Sequence, residues 1–284
     1  MITPMSKVHA PVGLLGDTAA RDYAGKLRRF NAFAAPELRE AIAELSLRSG
    51  SCVLDAGCGT GEAVGWLREA MSGEGTVIGL DLAAEHVRNA RAITPPTAFI
   101  VQSDMLRPPL AAGTVDFIWA VNSLNHLHDP IAGVLTLSDL LRPGGRIAVG
   151  QSALVPEMYF AWDARLEAVV HEAIRRYYRE RYGRSERDLT AVRAVTGWLR
   201  QAGLQLLGVR TRMIERICPL SQADEDYLLE AVFRGTWGER LRPYLSQDDF
   251  VELTRLCNPD DERYALRRAD FHFLQSLTIA VAVK

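Results

Sequence analysis

The chain has 284 residues and a formal net charge of −2, enough for one large α/β domain with additions and without a global pull toward nucleic acid or an anionic membrane. Its 48% apolar and 24% charged content exclude a disordered or collagen-like chain. Cys52, Cys58, Cys218 and Cys257 form no C-x-x-C pair, and no apolar run is long enough for a bilayer or a secretory leader. The expectation is therefore a cytoplasmic protein with neither a disulfide framework nor a metal site.

Residues 1 to about 20 show no periodicity. Arg21 to Phe33 reads as a short helix, followed by a clearer one with Pro36 in its first turn and Leu38, Ile42 and Leu45 on one stripe. Ser49-Gly50-Ser51 breaks that helix before the apolar run Cys52-Val53-Leu54. Strands are then expected at 76–81, 98–102, 115–121 and 146–151, with helices at 62–71, 84–92 and 130–141 between them. Continuous β-branched strands separated by helices imply a Rossmann-like, mostly parallel sheet covered on both faces.

The alternation fails after residue 152. A helical insertion is expected over 153–190, then core elements over 191–216, then a second insertion over 217–270. Ser221 with Asp224, and Ser246 with Asp249, are spaced as capping boxes in that insertion. A last strand over 271–284 alternates as an antiparallel strand does. With 1–34 as N-terminal cap helices and 35–152 as the main core, these are the expected units.

The most informative stretch is Val53-Leu54-Asp55-Ala56-Gly57-Cys58-Gly59-Thr60-Gly61. A strand runs through an acidic residue into alternate glycines and then a helix, so the backbone must approach something closely and offer N–H groups at a helix start. A dinucleotide fingerprint would place its third glycine at position 62, where Glu62 stands. The pattern instead resembles motif I of the class I S-adenosylmethionine (SAM)-dependent methyltransferases, with the likeness densest over residues 35–151. Asp81 ends the second strand, Asp104 follows the third, and Leu141-Arg142-Pro143-Gly144-Gly145 precedes the fifth. The stretch Asn122 to Pro130 resembles the His-Asp-Pro segment of the ubiquinone/menaquinone-biosynthesis-like branch, with Asn125 in place of the first of its two histidines.

The resemblance implies seven strands with an antiparallel last one, and a SAM site at the carboxyl edge of the sheet. Gly57, Cys58, Gly59 and Gly61 would form its turn, with Asp55 near the amino-acid part. Asp81 would accept the ribose hydroxyls. Asp104 would take the adenine amino group beside Ser103, with Leu82 and Met105 flanking the ring. Val121 and Asn122 would complete the edge, and Tyr23 would close over the sulfonium. Taken singly, Asp81 and Asp104 read as turn or cap residues; their shared edge favours the ligand.

Methyl transfer from a sulfonium needs alignment and dryness more than covalent help. For a hydroxyl acceptor, His126 is the first candidate base and His128 the second, against a structural hydrogen bond for either. Tyr159, Trp162 and Tyr178 offer an aromatic wall to an acceptor. The basic run Arg175, Arg176, Arg179, Arg181 and Arg184 reads as a solvated helix face rather than a site for RNA or for a carboxylate or phosphate on the acceptor. The expected activity is O- or C-methylation of a small metabolite, natural product or quinone-like acceptor, with no nucleic-acid partner and with a homodimer as a further expectation. An RNA or protein methyltransferase and a SAM-binding cyclase or regulatory binder are the alternatives.

Overall fold

A computed structural model describes residues 23–153, 159–160, 163–182 and 191–284. One sheet holds β1 (Cys52–Ala56), β2 (Thr76–Asp81), β3 (Phe99–Gln102), β4 (Val115–Val121), β5 (Leu141–Ser152), β6 (Tyr159–Phe160), β7 (Gln205–Ile217) and β8 (His272–Val283). The order is β3-β2-β1-β4-β5-β8, with β7 on the far side of β8. The first five strands pair in parallel, while β8 runs antiparallel to both β5 and β7. Because β7 occupies one edge of β8 along its whole length, the two-residue β6 takes the other edge beyond the end of β5. This short strand, in the first insertion, joins the seven that the alternating pattern announces.

Side chains of successive strand residues point to opposite faces. In β1, Val53 enters the core beneath α2 (Ala35–Ala43), α3 (Glu62–Ala70) and α4 (Ala84–Ile93), with Ile42, Leu67 and Val87. Leu54 enters the other core, beneath α5 (Pro130–Leu140) and α7 (Ala191–Gln201), with Leu137 and Leu199. Each such buried aliphatic side chain contributes about 1.5–3 kcal/mol relative to exposure. α5 starts where Asp129 accepts the N–H of Ala132 and Pro130 takes the first turn, so the Asp-Pro pair has a helix-starting function of its own.

Three local features depart from the expected pattern. β5 begins at Leu141, which pairs with Val115; the register then slips, and Arg146 pairs with Phe117. The Pro143-Gly144-Gly145 turn is thus a bulge inside the ladder, with Gly144 at φ +77°. A single 3₁₀ turn, Leu124–His126, follows β4.

The third departure is an eleven-residue π-helix, Tyr227–Trp237, that continues α8 (Gln222–Asp226). Its winding places the carbonyl of residue i−5 beneath each residue. Thr236 Oγ1 donates to the Ala231 carbonyl, and a Cβ on Gly235 would lie 2.8 Å from the Glu230 oxygen. Ser221 and Asp224 form the reciprocal box that opens α8, and Ser246 caps α9 (Gln247–Leu256).

α1 (Tyr23–Phe33) and the π-helix form a cover over the first core. Phe33 stacks on Tyr227 at 4.3 Å and meets Phe273 edge-on. Arg216, at the end of β7, lies over the Phe33 ring and pairs with both Glu37 and Asp224 at 2.7 Å, locking α2 to α8. Among the described residues, no helix is long and apolar enough to cross a membrane.

Candidate functional site

Glycines 57, 59 and 61 all have positive φ, at +85°, +52° and +95°. Space explains two of them. A Cβ on Gly57 would lie 2.5 Å from Ser123 Cβ, where the β1 turn meets the loop after β4, and one on Gly61 would lie 2.8 Å from Ala90 Cβ in α4. The close approach read from the sequence is therefore partly an approach of protein to protein. The N–H groups follow suit: Gly57 and Cys58 donate to the Leu80 carbonyl, Gly61 to the Cys58 carbonyl, and Gly59 to Asp81 Oδ2. The turn is a rigid, internally bonded shelf rather than a row of free donors.

α1 lies above the shelf. Leu27 Cδ1 comes within 3.2 Å of where a Gly59 Cβ would sit, and Asn31 donates to Glu62 Oε2 at 2.7 Å, an oxygen that also accepts from Thr60. Arg28 reaches Asn89 of α4, and Lys26 reaches Thr236 of the π-helix. One short helix therefore touches the glycine turn, the following α/β unit and the cover.

Asp55 is 3% exposed and its Oδ2 has no partner among the described residues. Burial, then the charges of Asp81 and Glu62, push its pKa up to about 8, so near neutral pH it is held protonated. Burial, then Asp55 and Asp81, also push the Cys58 thiol up, which makes Cys58 a packing group.

Asp81 differs although it is also largely buried. Its Oδ1 accepts from the Ala83 N–H at 2.8 Å and faces His86 Nδ1 at 3.1 Å; its Oδ2 accepts from Gly59 at 2.9 Å. Burial would raise its pKa, but the His86 bond and the two backbone N–H groups hold it below the ordinary carboxylate value. Adjacent strand ends thus carry one acid kept neutral and one kept ionised.

Asp104 uses Oδ1 to accept the Leu106 N–H, and its Oδ2 stands 3.9 Å from Arg107. Ser103 sits beside it, with its N–H on the Asp81 carbonyl. Met105 is half-buried near Gly57, whereas Leu82 is 69% exposed at the rim. At the end of β4, half-buried Val121 precedes Asn122, which has φ +57° and a side chain bonded at both its nitrogen and its oxygen: it donates to Ser152 Oγ and accepts the Ser152 N–H, tying β4 to β5. Ser123 Oγ and Asn125 Oδ1, both buried, have no partner among the described residues. His126 is half-buried at the end of the 3₁₀ turn, and His128 is exposed.

The expected acceptor wall is described only in part. Tyr178 is half-buried on α6 (Ala164–Tyr182), edge-on to Tyr177 at 5.7 Å. Tyr159 is placed by its backbone in β6 and Tyr23 by its backbone at the start of α1. Trp162 and Arg184 lie outside the described residues. The basic run is laced with acids. Arg179 and Arg175 pair with Glu172, Arg176 lies over the Tyr244 ring, and the Tyr244 hydroxyl donates to Glu180. Among the described residues, no group of three His, Cys, Asp or Glu side chains converges as metal ligands do.

Sequence reasoning missed His86 and Asn31. The available signal for His86 was a histidine in the first turn of the helix that follows an acidic strand end.

Comparison with known proteins identifies the family. A family model described as a methyltransferase domain matches residues 53–145. The chain is 31% identical over 193 residues to a ubiquinone biosynthesis O-methyltransferase of Xanthomonas axonopodis pv. citri, covering 65% of this chain and 77% of that one. It is 32% identical over 117 residues to the 27-O-demethylrifamycin SV methyltransferase of Amycolatopsis mediterranei, covering 39% and 42%. It spans under half the length of the first curated relatives it matches, 32% and 42%. Among solved structures, a SAM-dependent methyltransferase from Aquifex aeolicus superposes with a TM-score of 0.50 at 21% identity, covering 66% of this chain and 90% of that one.

Proposed function

The chain belongs to the class I SAM-dependent methyltransferases, and from that premise we propose that it methylates a small-molecule acceptor at oxygen or carbon. The observation that carries this reading is the cover: α1 bridges the glycine turn through Asn31–Glu62 and the π-helix through Lys26–Thr236, as an enclosing lid would. The two relatives' names point the same way, one to ubiquinone biosynthesis and one to a rifamycin. The pairing of Arg175 and Arg179 with Glu172 disfavours an RNA groove.

The site suits the cofactor. An orphaned, buried Asp55 oxygen suits a cationic ammonium, whose charge would draw Asp55 from its neutral form to the carboxylate, and the ionised Asp81 has acceptor capacity left on Oδ2 for a ribose hydroxyl. Asp104 Oδ2 remains for an adenine amino group, with Ser103, Met105 and Leu82 beside it. Val121 and Asn122 form the wall at the end of β4, and Tyr23 begins the helix that covers the turn. When bound, SAM supplies a methyl group already activated on a sulfonium.

The protein's part is to hold, dry and deprotonate. α1 and the π-helix exclude water, Tyr178 meets the acceptor, and His126 takes the acceptor hydroxyl proton, with His128 behind it. Incubation with SAM and a panel of phenolic, quinol and polyketide acceptors, read by mass spectrometry, tests this. A one-methylene mass gain on a small acceptor is expected; transfer only to RNA or protein would overturn the reading. His126→Ala should slow turnover by about 10²–10⁴-fold while S-adenosylhomocysteine still binds. An unchanged rate would remove His126 as the base.

A further inference from the structure

Asp81 is seldom free to turn. A carboxylate offers about four lone-pair positions, and this one spends two on Oδ1, on the Ala83 N–H and His86, and one on Oδ2, on the Gly59 N–H. The capacity that remains lies on Oδ2. Ala83 and Gly59 are backbone donors set by the β2–α4 connection and the glycine turn. His86 is the side chain in the set: it comes from the first turn of α4, five residues after Asp81, and both partners are largely shielded, at 10% and 13% side-chain exposure. Since an ionised carboxylate only accepts, Nδ1 carries the proton in this pair.

We propose that His86 is a positioning residue for the cofactor ribose: it pins Asp81 Oδ1 so that Oδ2 alone is presented to a ribose hydroxyl. This rests on the cofactor reading above and adds to it a residue that acts through Asp81 without touching the ligand. Without the imidazole donor, Oδ1 would be held by one backbone N–H only. The carboxylate could then rotate away from the geometry that makes the ribose bond strong. Pre-organisation of this kind acts on one ligand group rather than on the whole affinity.

The test is a coupling cycle between residue 86 and the ribose. Calorimetry would give the affinity of S-adenosylhomocysteine and of its 2′-deoxy and 3′-deoxy analogues for wild type and for three variants. His86→Met and His86→Ala remove the donor, the first with little change of volume; His86→Gln restores an N–H donor. In wild type, loss of the hydroxyl held by Asp81 should weaken binding about tenfold or more. In the Met and Ala variants that factor should shrink below about threefold, and in the Gln variant it should recover toward wild type. If parent and deoxy ligands weaken in equal proportion in the donor-less variants, His86 only supports the fold, and the proposal is overturned. If neither deoxy analogue is penalised in wild type, the ribose assignment of Asp81 fails first, a result distinct from failure of His86. Because the readout is a ratio within each variant, a partly destabilised variant still decides between these outcomes.

Discussion

The carboxyl edge of β1, β2 and β4 and the helical cover above it are built on opposite terms. The edge collects features that cost stability: the orphaned acid Asp55, the unpartnered Ser123 hydroxyl, glycines in left-handed conformation, and Asn122 at φ +57°. The cover stacks Phe33 on Tyr227 and engages Arg216 with two acids, a ring and a carbonyl. The packing beneath and beside it is not free of cost, since Tyr264 and Gln275 each leave a buried oxygen without a partner among the described residues. The contrast still teaches where unpartnered groups and left-handed backbone gather: at the strand ends, while packing holds the surrounding frame in place.

The largest effect should come from the cover. Phe33→Ala removes a fully buried ring between α1, Tyr227 and Phe273, and should cost about 3–5 kcal/mol of folding stability in denaturant titration. If the two regions are separable, surviving folded protein keeps its affinity for S-adenosylhomocysteine. A parallel loss of affinity would merge them.

Asp55→Asn should act with the opposite sign. Between the unfolded value near 4 and the folded value of about 8, the native chain binds a proton that the unfolded chain has lost. Stability therefore falls as pH rises through that window and levels off above it. The variant escapes this, so at pH 8 it should exceed wild type by roughly 2–4 kcal/mol, a gap that closes toward pH 4. A gap independent of pH would show that Asp55 is not held as an acid. The same change should weaken binding of a ligand that carries an ammonium.

Gly57→Ala is the smaller perturbation of the edge, at about 1–3 kcal/mol, because it combines positive φ with the approach to Ser123. It should depress ligand affinity more than Phe33→Ala does, although it costs less stability. The reverse ranking would break the comparison.

The edge was also the more legible region, for a physical reason. Its signals are local: an acid at a strand end, glycines at every second position, and an Asp-Pro helix start, all read within a few residues. The strand and helix order followed from hydrophobic period, and Ser221 with Asp224 was readable from spacing alone. What stayed hidden depends on partners distant in sequence. Asn122 is committed to Ser152, and Arg216 to Glu37, 179 positions away. The donors of the glycine turn are consumed by Leu80 and Asp81 of the next strand. The π-helix leaves little trace beyond Gly235 and Thr236, whose meaning appears only once the i−5 carbonyls are in view. Aromatic residues in the insertions announced a cover but not which rings would meet.

The central claim is that Asp81, ionised at the end of β2, holds the cofactor. Calorimetric titration of S-adenosylhomocysteine into wild type and Asp81→Asn, with folding checked by circular dichroism, tests it most directly. Loss of a buried hydrogen bond to a charged acceptor predicts an affinity drop of about 10- to 100-fold. Equal affinity in the two folded proteins would contradict it.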